Sequence, residues 1–201
     1  FSKRLFDLLV SLPVTILALP FFAIIAVAIK LTSKGPVFFI QERFGRGGKK
    51  FKILKFRSMY VDGDQKLNDY LEKHDDLKKE WQQFKKLKSF DPRVTGVGKF
   101  LRRFSLDEAP QVFNILLGSM SLVGPRPYLP REKEEIEQSA AIIFRVKSGL
   151  TGLWQIKGRN DLSFETRLKL DEFYVRNWSF MLDITIILKT FGAVLKGRGA
   201  Y

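Results

Sequence analysis

The chain has 201 residues, with 35 Lys and Arg against 21 Asp and Glu, a formal net charge of +14, no cysteine and one histidine. That length suits one ordinary domain, and the charge calls for an anionic partner: nucleic acid, a phosphate-rich substrate or an acidic lipid surface. Disulfides and thiolate metal centres are excluded, and His74 alone cannot build a histidine cluster or a Ser-His-Asp triad, so any metal must be held by oxygen, as Mg2+ and Mn2+ are.

The chain opens on Phe1 rather than Met, which reads as a piece of a longer protein. Leu8 to Ile29 is uncharged and about as long as the roughly 20 residues a bilayer-crossing helix needs. Lys3 and Arg4 precede it, and Lys30 and Lys34 follow. Pro13 and Pro20 lie inside the stretch, where a proline deletes a backbone hydrogen bond and bends the axis. Basic residues on both flanks give no one-sided bias for orienting a span, so spanning and re-entrant arrangements both stay open.

Two short strands are expected at Pro36 to Gln41 and Phe51 to Phe56, joined by a turn rich in Gly and Lys. Asp62 to Phe90 is polar and helical, with an apolar trace at Leu67, Leu71, Leu77, Trp81 and Phe84, and reads as a solvated amphipathic hairpin or a membrane-surface or nucleic-acid arm. Asp91-Pro92 ends it. A helix is expected from about Gly96, and a second from an N-cap at Ser105 through Leu117. The prolines of Gly124-Pro125-Arg126-Pro127 impose an extended turn. Glu132 to Ser139 should be helical, Ser148 to Asn160 a glycine-rich loop with a short strand, and Phe164 to Asn177 a helix. Ser179 to Leu195, mostly apolar, suits a helix lying in a membrane interface.

The pair Asp107-Glu108 follows Arg102 and Arg103 and stands at the start of an expected helix. Neighbouring helical residues point about 100° apart, so the two carboxylates have different tasks. One could attack phosphorus while the other holds a metal. Nearby arginines favour the ionised form and could share charge with a transferred phosphoryl group. Taken alone, an acidic pair in a first helical turn more often merely complements the helix dipole. Arg43, Lys55, Arg57, Arg126 and Arg159 are read singly as surface charge, except that Pro125 and Pro127 clamp Arg126 and lessen the entropy lost in ordering it. Asp183, alone in an apolar helix, should meet an arginine, a lysine or polar backbone. No phosphate-binding GxxxxGK[ST] or GxGxxG sequence is present, and no nucleic-acid signature accompanies the charge.

The segments KRLFDLLVSLPVTILALP, PVFFIQERFG, FKILKFRSM, LRRFSLDEAPQVFNILLGSMSLVGPRP, SGLTGLWQIKGRN and YVRNWSFMLDITIILKT, in that order, closely resemble the bacterial sugar transferase family, the monotopic phosphoglycosyl transferases. The resemblance implies an α+β protein, mainly helical with a short β-hairpin. It implies a re-entrant membrane helix over residues 1–34, broken at Pro20, and a cytoplasmic catalytic domain over 35–201 with a polar insert at 62–90. The family's break is often Ser-Pro; here it is Leu19-Pro20, which removes a hydroxyl able to satisfy a freed carbonyl. Asp107 would form a covalent phosphosugar aspartate and Glu108 would bind Mg2+. Lys55, Arg102, Arg126 and Arg159 would contact phosphate or nucleotide, with Arg43, Asp183, Pro125 and Pro127 shaping the site. The implied reaction moves a hexose 1-phosphate, galactose or glucose, from a UDP-sugar to undecaprenyl phosphate and releases UMP. It would take place at the cytoplasmic face of the bacterial inner membrane, at the start of surface polysaccharide synthesis. Anionic lipids are expected partners, nucleic acid is not, and a homodimer is compatible with the resemblance. The insert and the ending GRGAY look like the longer members that handle simple hexose phosphates. A membrane scaffold that binds polyprenyl phosphate without turnover, or a glycosyltransferase that moves sugar without phosphate, are the competing readings.

Overall fold

The computed structural model describes residues 2–74, 76–78, 81, 87, 90–158 and 162–195. These are mainly helical, with two sheets of two strands each.

Helix α1, Ser2–Thr32, is helical through both Pro13 and Pro20. Each proline lacks the amide hydrogen that would reach the carbonyl four residues back, on Leu9 and Ile16, and so marks a place where the axis can bend. Leu9, Leu12, Leu17, Phe21 and Ile24 are exposed, whereas Asp7, Ser11, Thr15 and Ile29 are buried against the rest of the chain. An apolar face of that extent is unfavourable in water, and α1 is long and apolar enough to cross a membrane.

Both ends of α1 are fastened to the same body. At the start, Lys3 pairs with Asp183, and Arg4 donates to the Ile115 and Leu116 carbonyls, the latter at 2.8 Å. One turn on, Asp7 Oδ1 accepts from the Ser121 hydroxyl and the Leu122 amide, each at 3.0 Å. At the far end, Ile29 packs with Phe56 and Leu101, and Arg57 donates to the Lys34 carbonyl and, at 2.8 Å, to the Ser33 carbonyl.

Strands β1, Phe38–Phe44, and β2, Lys50–Phe56, form an antiparallel hairpin in which Phe38 faces Phe56 and Arg43 faces Phe51. β1 begins later and runs three residues beyond the expected Gln41, because charged Glu42 finds Lys52 directly opposite. Gly47 and Gly48 make the turn with φ of 69° and 70°. The outer edge of β2 is closed by the Asn114 amide, which accepts from Leu54 N at 3.0 Å and donates to the Lys52 carbonyl at 2.7 Å.

In the polar insert, α2, Gly63–Glu72, buries Leu67 and Leu71 with Leu87, flanked by Leu77 and Trp81. The apolar trace is thus an inward stripe; Phe84 lies outside the described residues. Helix α3, Gly96–Arg103, is capped by Thr95, whose Oγ1 accepts from Gly98 N at 2.8 Å. A Cβ at Gly98 would stand 1.9 Å from the Ser58 carbonyl oxygen, so this crossing requires glycine.

Helix α4, Gln111–Leu116, leads to β3, Ser121–Val123, and α5, Lys133–Ile143, to β4, Gly149–Thr151, which pairs in parallel with β3. Residues expected to be loop form a short helix α6, Leu153–Lys157, followed by α7, Phe164–Arg176, and α8, Phe180–Leu195. Val123, Leu153, Tyr174 and Ile186 make one core, and Tyr128, Ile136, Ile143 and Leu168 another.

Candidate active site

The acidic pair does not open an α-helix as expected. Pro110 has no amide to offer the Leu106 carbonyl, so α4 begins only after it, and Leu106–Glu108 form a 3-10 turn instead. Ser105, expected as an N-cap, makes no side-chain cap and sits in the left-handed region at φ 55°, ψ 22°, uncommon for a residue with a Cβ. Neighbours on a 3-10 turn diverge by about 120°, so the two carboxylates again point apart. With only one turn behind them, their electrostatics come from side chains rather than from a helix dipole.

Those side chains converge from four elements. Lys55, on β2, donates to Glu108 Oε1 at 2.6 Å; its side chain is 18% exposed and that of Glu108 39%. Arg102, in the last turn of α3, is held by the Ser58 hydroxyl at 2.9 Å and lies close enough to Asp107 for their charges to act on each other. Arg43, on β1, is buried, donating to the Pro127 carbonyl at 3.1 Å and to Gln41 Oε1 at 2.6 Å. Arg126, between the two prolines, pairs with Glu132 at 3.3 Å and lies over the rings of Tyr128 and Trp154, 5.8 and 5.7 Å from their centroids. The prolines act through their carbonyls as well: Pro127 fixes Arg43, and Pro125 accepts from Gly149 N at 2.9 Å.

This arrangement separates the two acids. Burial, reinforced by the charge of Glu108, raises Asp107 above the ordinary aspartate range, with Lys55 and Arg102 pulling the other way. Burial works to raise Glu108 too, but the charge and hydrogen bond of Lys55, with Arg43 and Arg126 beyond, hold it below the ordinary range. Arg43 itself is lowered to about 10 by burial and by the charge of Arg126, so it remains a cation near neutrality.

Of the residues singled out in the sequence, Lys55, Arg102, Asp107, Glu108, Arg43 and Arg126 come together, and Pro125 and Pro127 brace them. Asp183 does not join them. Buried at the start of α8, it pairs with Lys3 and accepts from Tyr174 Oη at 2.8 Å and Trp178 Nε1 at 3.0 Å, a structural anchor for α1. Arg159 lies outside the described residues. Sequence reasoning missed Glu132 and Asp171. Glu132 also accepts from Leu129 N at 2.7 Å, and its spacing from Leu129, three residues on and after Pro130, was a legible helix-start pattern. Asp171, wholly buried on α7, accepts from Arg126 N at 2.9 Å and Tyr128 Oη at 2.7 Å, and so supports the arginine from behind. Nothing in its local sequence marks it.

A helix long and apolar enough to cross a membrane, a half-buried acidic pair and a surround of fixed cations suit an enzyme that handles phosphate at a lipid surface. The chain belongs to the bacterial sugar transferase family, whose model matches residues 1–197. It is 44% identical over its full length to the exopolysaccharide production protein ExoY of Sinorhizobium fredii, covering 88% of that protein. It is also 44% identical to the undecaprenyl-phosphate galactose phosphotransferase of Salmonella typhimurium, with all of this chain matching 42% of the relative. A third relative, the UDP-glucose:undecaprenyl-phosphate glucose-1-phosphate transferase of Klebsiella pneumoniae, is 44% identical over 99% of this chain and 41% of its own length.

Proposed function

We propose that this protein transfers a hexose 1-phosphate from a UDP-sugar to undecaprenyl phosphate, the step with which surface polysaccharide synthesis begins. The observation that carries the reading is the Asp107-Glu108 pair set among Lys55, Arg102, Arg43 and Arg126. The activities for which the Salmonella and Klebsiella relatives are named support the substrates.

In the first step an Asp107 carboxylate oxygen attacks the phosphorus that bears the sugar. The bond from that phosphorus to the bridging oxygen breaks, UMP leaves with that oxygen, and the sugar phosphate remains on Asp107 as an acyl phosphate. In the second step a phosphate oxygen of undecaprenyl phosphate attacks the same phosphorus and Asp107 departs as carboxylate, leaving an undecaprenyl diphosphate sugar. The aspartate is a competent leaving group because the acyl phosphate it forms is a mixed anhydride, whose phosphorus–oxygen bond breaks with release of a stabilised carboxylate. Lys55, Arg102, Arg43 and Arg126 neutralise charge on the transferred group from fixed positions.

Mg2+ is the expected cofactor. Among the described residues no group of three or more Asp, Glu or His is assembled for a metal. Glu108 nevertheless keeps Oε2 clear of hydrogen bonds from described residues, beside Asp107. One or two carboxylates completed by substrate phosphates and water is the way Mg2+ is commonly held, and Glu108 fits it. The ion would neutralise diphosphate charge when bound.

The contacts of α1 support a re-entrant membrane arrangement. A straight helix of 31 residues would be about 46 Å long, yet the residues around Lys3 and around Ser33 both bind the same body. These contacts support re-entry with a bend near Pro20, which would keep both ends of α1 on one side of the membrane. Both basic flanks would then meet the cytoplasmic face, where UDP-sugars are found.

The direct test is incubation with UDP-galactose or UDP-glucose and undecaprenyl phosphate. UMP release is expected; release of UDP would instead mean transfer of sugar without phosphate.

A further inference from the structure

Away from the acidic pair, two adjoining depressions flank the hairpin turn and share Arg46. The larger, about 500 Å³, has an apolar floor that includes Phe144 and an arginine at each side, Arg46 and Arg145. The smaller, about 180 Å³, is bordered by Lys49 and Lys147 together with Gly118. No carboxylate lines either one. Among the described residues neither Arg46 nor Lys147 takes part in an ion pair, whereas Lys50 beside them is 3.6 Å from Glu42. Asp7 opposes this charge at Lys147, but its Oδ1 is already committed to Ser121 and Leu122, and like charges held together with so little compensation favour an anion from outside.

Its surroundings say which kind. A Cβ at Gly118 would lie 3.4 Å from Arg4 Nη2 and 3.7 Å from Lys147 Nζ, so α1 and the cluster meet at this point. Arg4 stands just before the apolar stretch of α1, and Leu117, adjacent to Gly118, is 84% exposed. Leu5 and Leu9 on α1 are exposed too. Cations rimming a hollow, with unshielded leucines alongside, match a molecule that joins a phosphate to an acyl chain rather than a free phosphate. Lys147 is depressed below the ordinary lysine range, chiefly by burial and then by Arg4, with Asp7 pulling the other way, so positive charge prevails around it.

We propose that Arg46, Lys49 and Lys147 form a headgroup site for an anionic glycerophospholipid, separate from the catalytic cluster, that docks the protein on the membrane beside the start of α1. The proposal rests on the membrane-embedded reading of α1 but not on the identity of the reaction.

The test uses the protein in neutral detergent, titrated with short-chain phosphatidylglycerol, with the zwitterionic phosphatidylcholine of equal chain length, and with inorganic phosphate, reading the shift in thermal unfolding. Phosphatidylglycerol should stabilise saturably, and phosphatidylcholine and phosphate should not. The double variant Arg46→Ala, Lys147→Ala should raise the half-saturating lipid concentration roughly 25-fold, about fivefold for each cation lost. Its UMP binding should match the wild type. An unchanged lipid titration in the double variant overturns the site. A phosphate shift equal to the lipid shift assigns the hollow to soluble anions, and loss of UMP binding assigns it to the nucleotide, either of which also overturns it. Failure of UMP release with the lipid response intact would count against the proposed reaction and leave this site standing.

Discussion

Lys55 Nζ lies 2.6 Å from Glu108 Oε1, joining the open end of the β-hairpin to the turn that carries the acidic pair. The contact does two things at once. It orients Glu108 through one oxygen, leaving the other for a ligand, and its charge lowers both Glu108 and Asp107. Lys55→Met should therefore reduce kcat/KM by about a hundredfold or more, the scale seen when a fixed charge-stabilising donor is removed. With Lys55 gone, Asp107 needs a higher pH to ionise, so the acid limb of the rate profile should move upward in pH. An unshifted limb in a slow variant would show that Lys55 does not act on the nucleophile.

Asp107→Asn tests the covalent route. Incubated with UDP-sugar labelled in the sugar-bearing phosphate, wild-type protein should retain label after denaturation and lose it on addition of undecaprenyl phosphate. The variant should retain none and release no UMP. Glu108→Gln should still fold, and if its defect lies in Mg2+ binding, raised Mg2+ should recover part of its activity; full activity without any divalent ion would remove Glu108 from that role.

How much of this was legible beforehand depended on whether a signal was local. Of the gathered residues, only Arg126, clamped between two prolines, stood out locally; Lys55 read singly as surface charge and Asp107-Glu108 as a dipole complement, and it was the ordered family motifs that put them with Arg102 in one site. Asp171 is one acid among others on a helix, and its task is defined by Arg126 and Tyr128, about 45 residues away in sequence. Asp7 likewise depends on β3. The mistaken helix at Asp107 has a local cause: Ser105 resembles an N-cap, but Pro110 prevents the α-helical bond that would have made it one. The parallel pairing of β3 with β4 joins three-residue strands too short to leave a periodic pattern.

Asp171 should leave a mark on stability. Burial raises its carboxyl to about 7, against the hydrogen bonds from Arg126 N and Tyr128 that favour ionisation. The folded value lies above the unfolded one, so the folded state holds this proton more tightly, and the group's contribution is fully present below about pH 4 and lost as pH rises through about 7. At about 1.4 kcal/mol per unit the loss is of order a few kcal/mol. Unfolding in denaturant from pH 4 to 8 should show this component in wild-type protein, and Asp171→Asn should flatten it. A second readout separates support of Arg126 from a purely structural role: the variant should raise KM for the UDP-sugar more than it lowers kcat.

The pair between Lys3 and Asp183 should matter for anchoring rather than chemistry. Asp183 is buried, so Lys3→Met strands a charge that Tyr174 and Trp178 satisfy only in part, at a cost of about 3 kcal/mol. Thermal unfolding should report it, and Lys3→Met with Asp183→Asn should recover some of the loss. In the same lipid environment the remaining folded protein should keep its kcat, since neither residue touches the acidic cluster.

The path of α1 can be read with two cysteines in a chain that has none. Ser2 and Lys34 are both exposed, one at each end of the helix. In sealed vesicles of known orientation, Ser2→Cys and Lys34→Cys variants should react with a membrane-impermeant maleimide from the same side. Labelling from opposite sides would mean a spanning helix, which the contacts of Arg4 and Asp7 at one end and Ile29 and Ser33 at the other would then have to lose. Replacing Pro20 with Leu refines the test, because it restores the amide donor to the Ile16 carbonyl and straightens the axis. If the bend is what returns the chain to its starting side, Pro20→Leu should shift part of the Lys34→Cys population to the opposite side and lower activity in proportion.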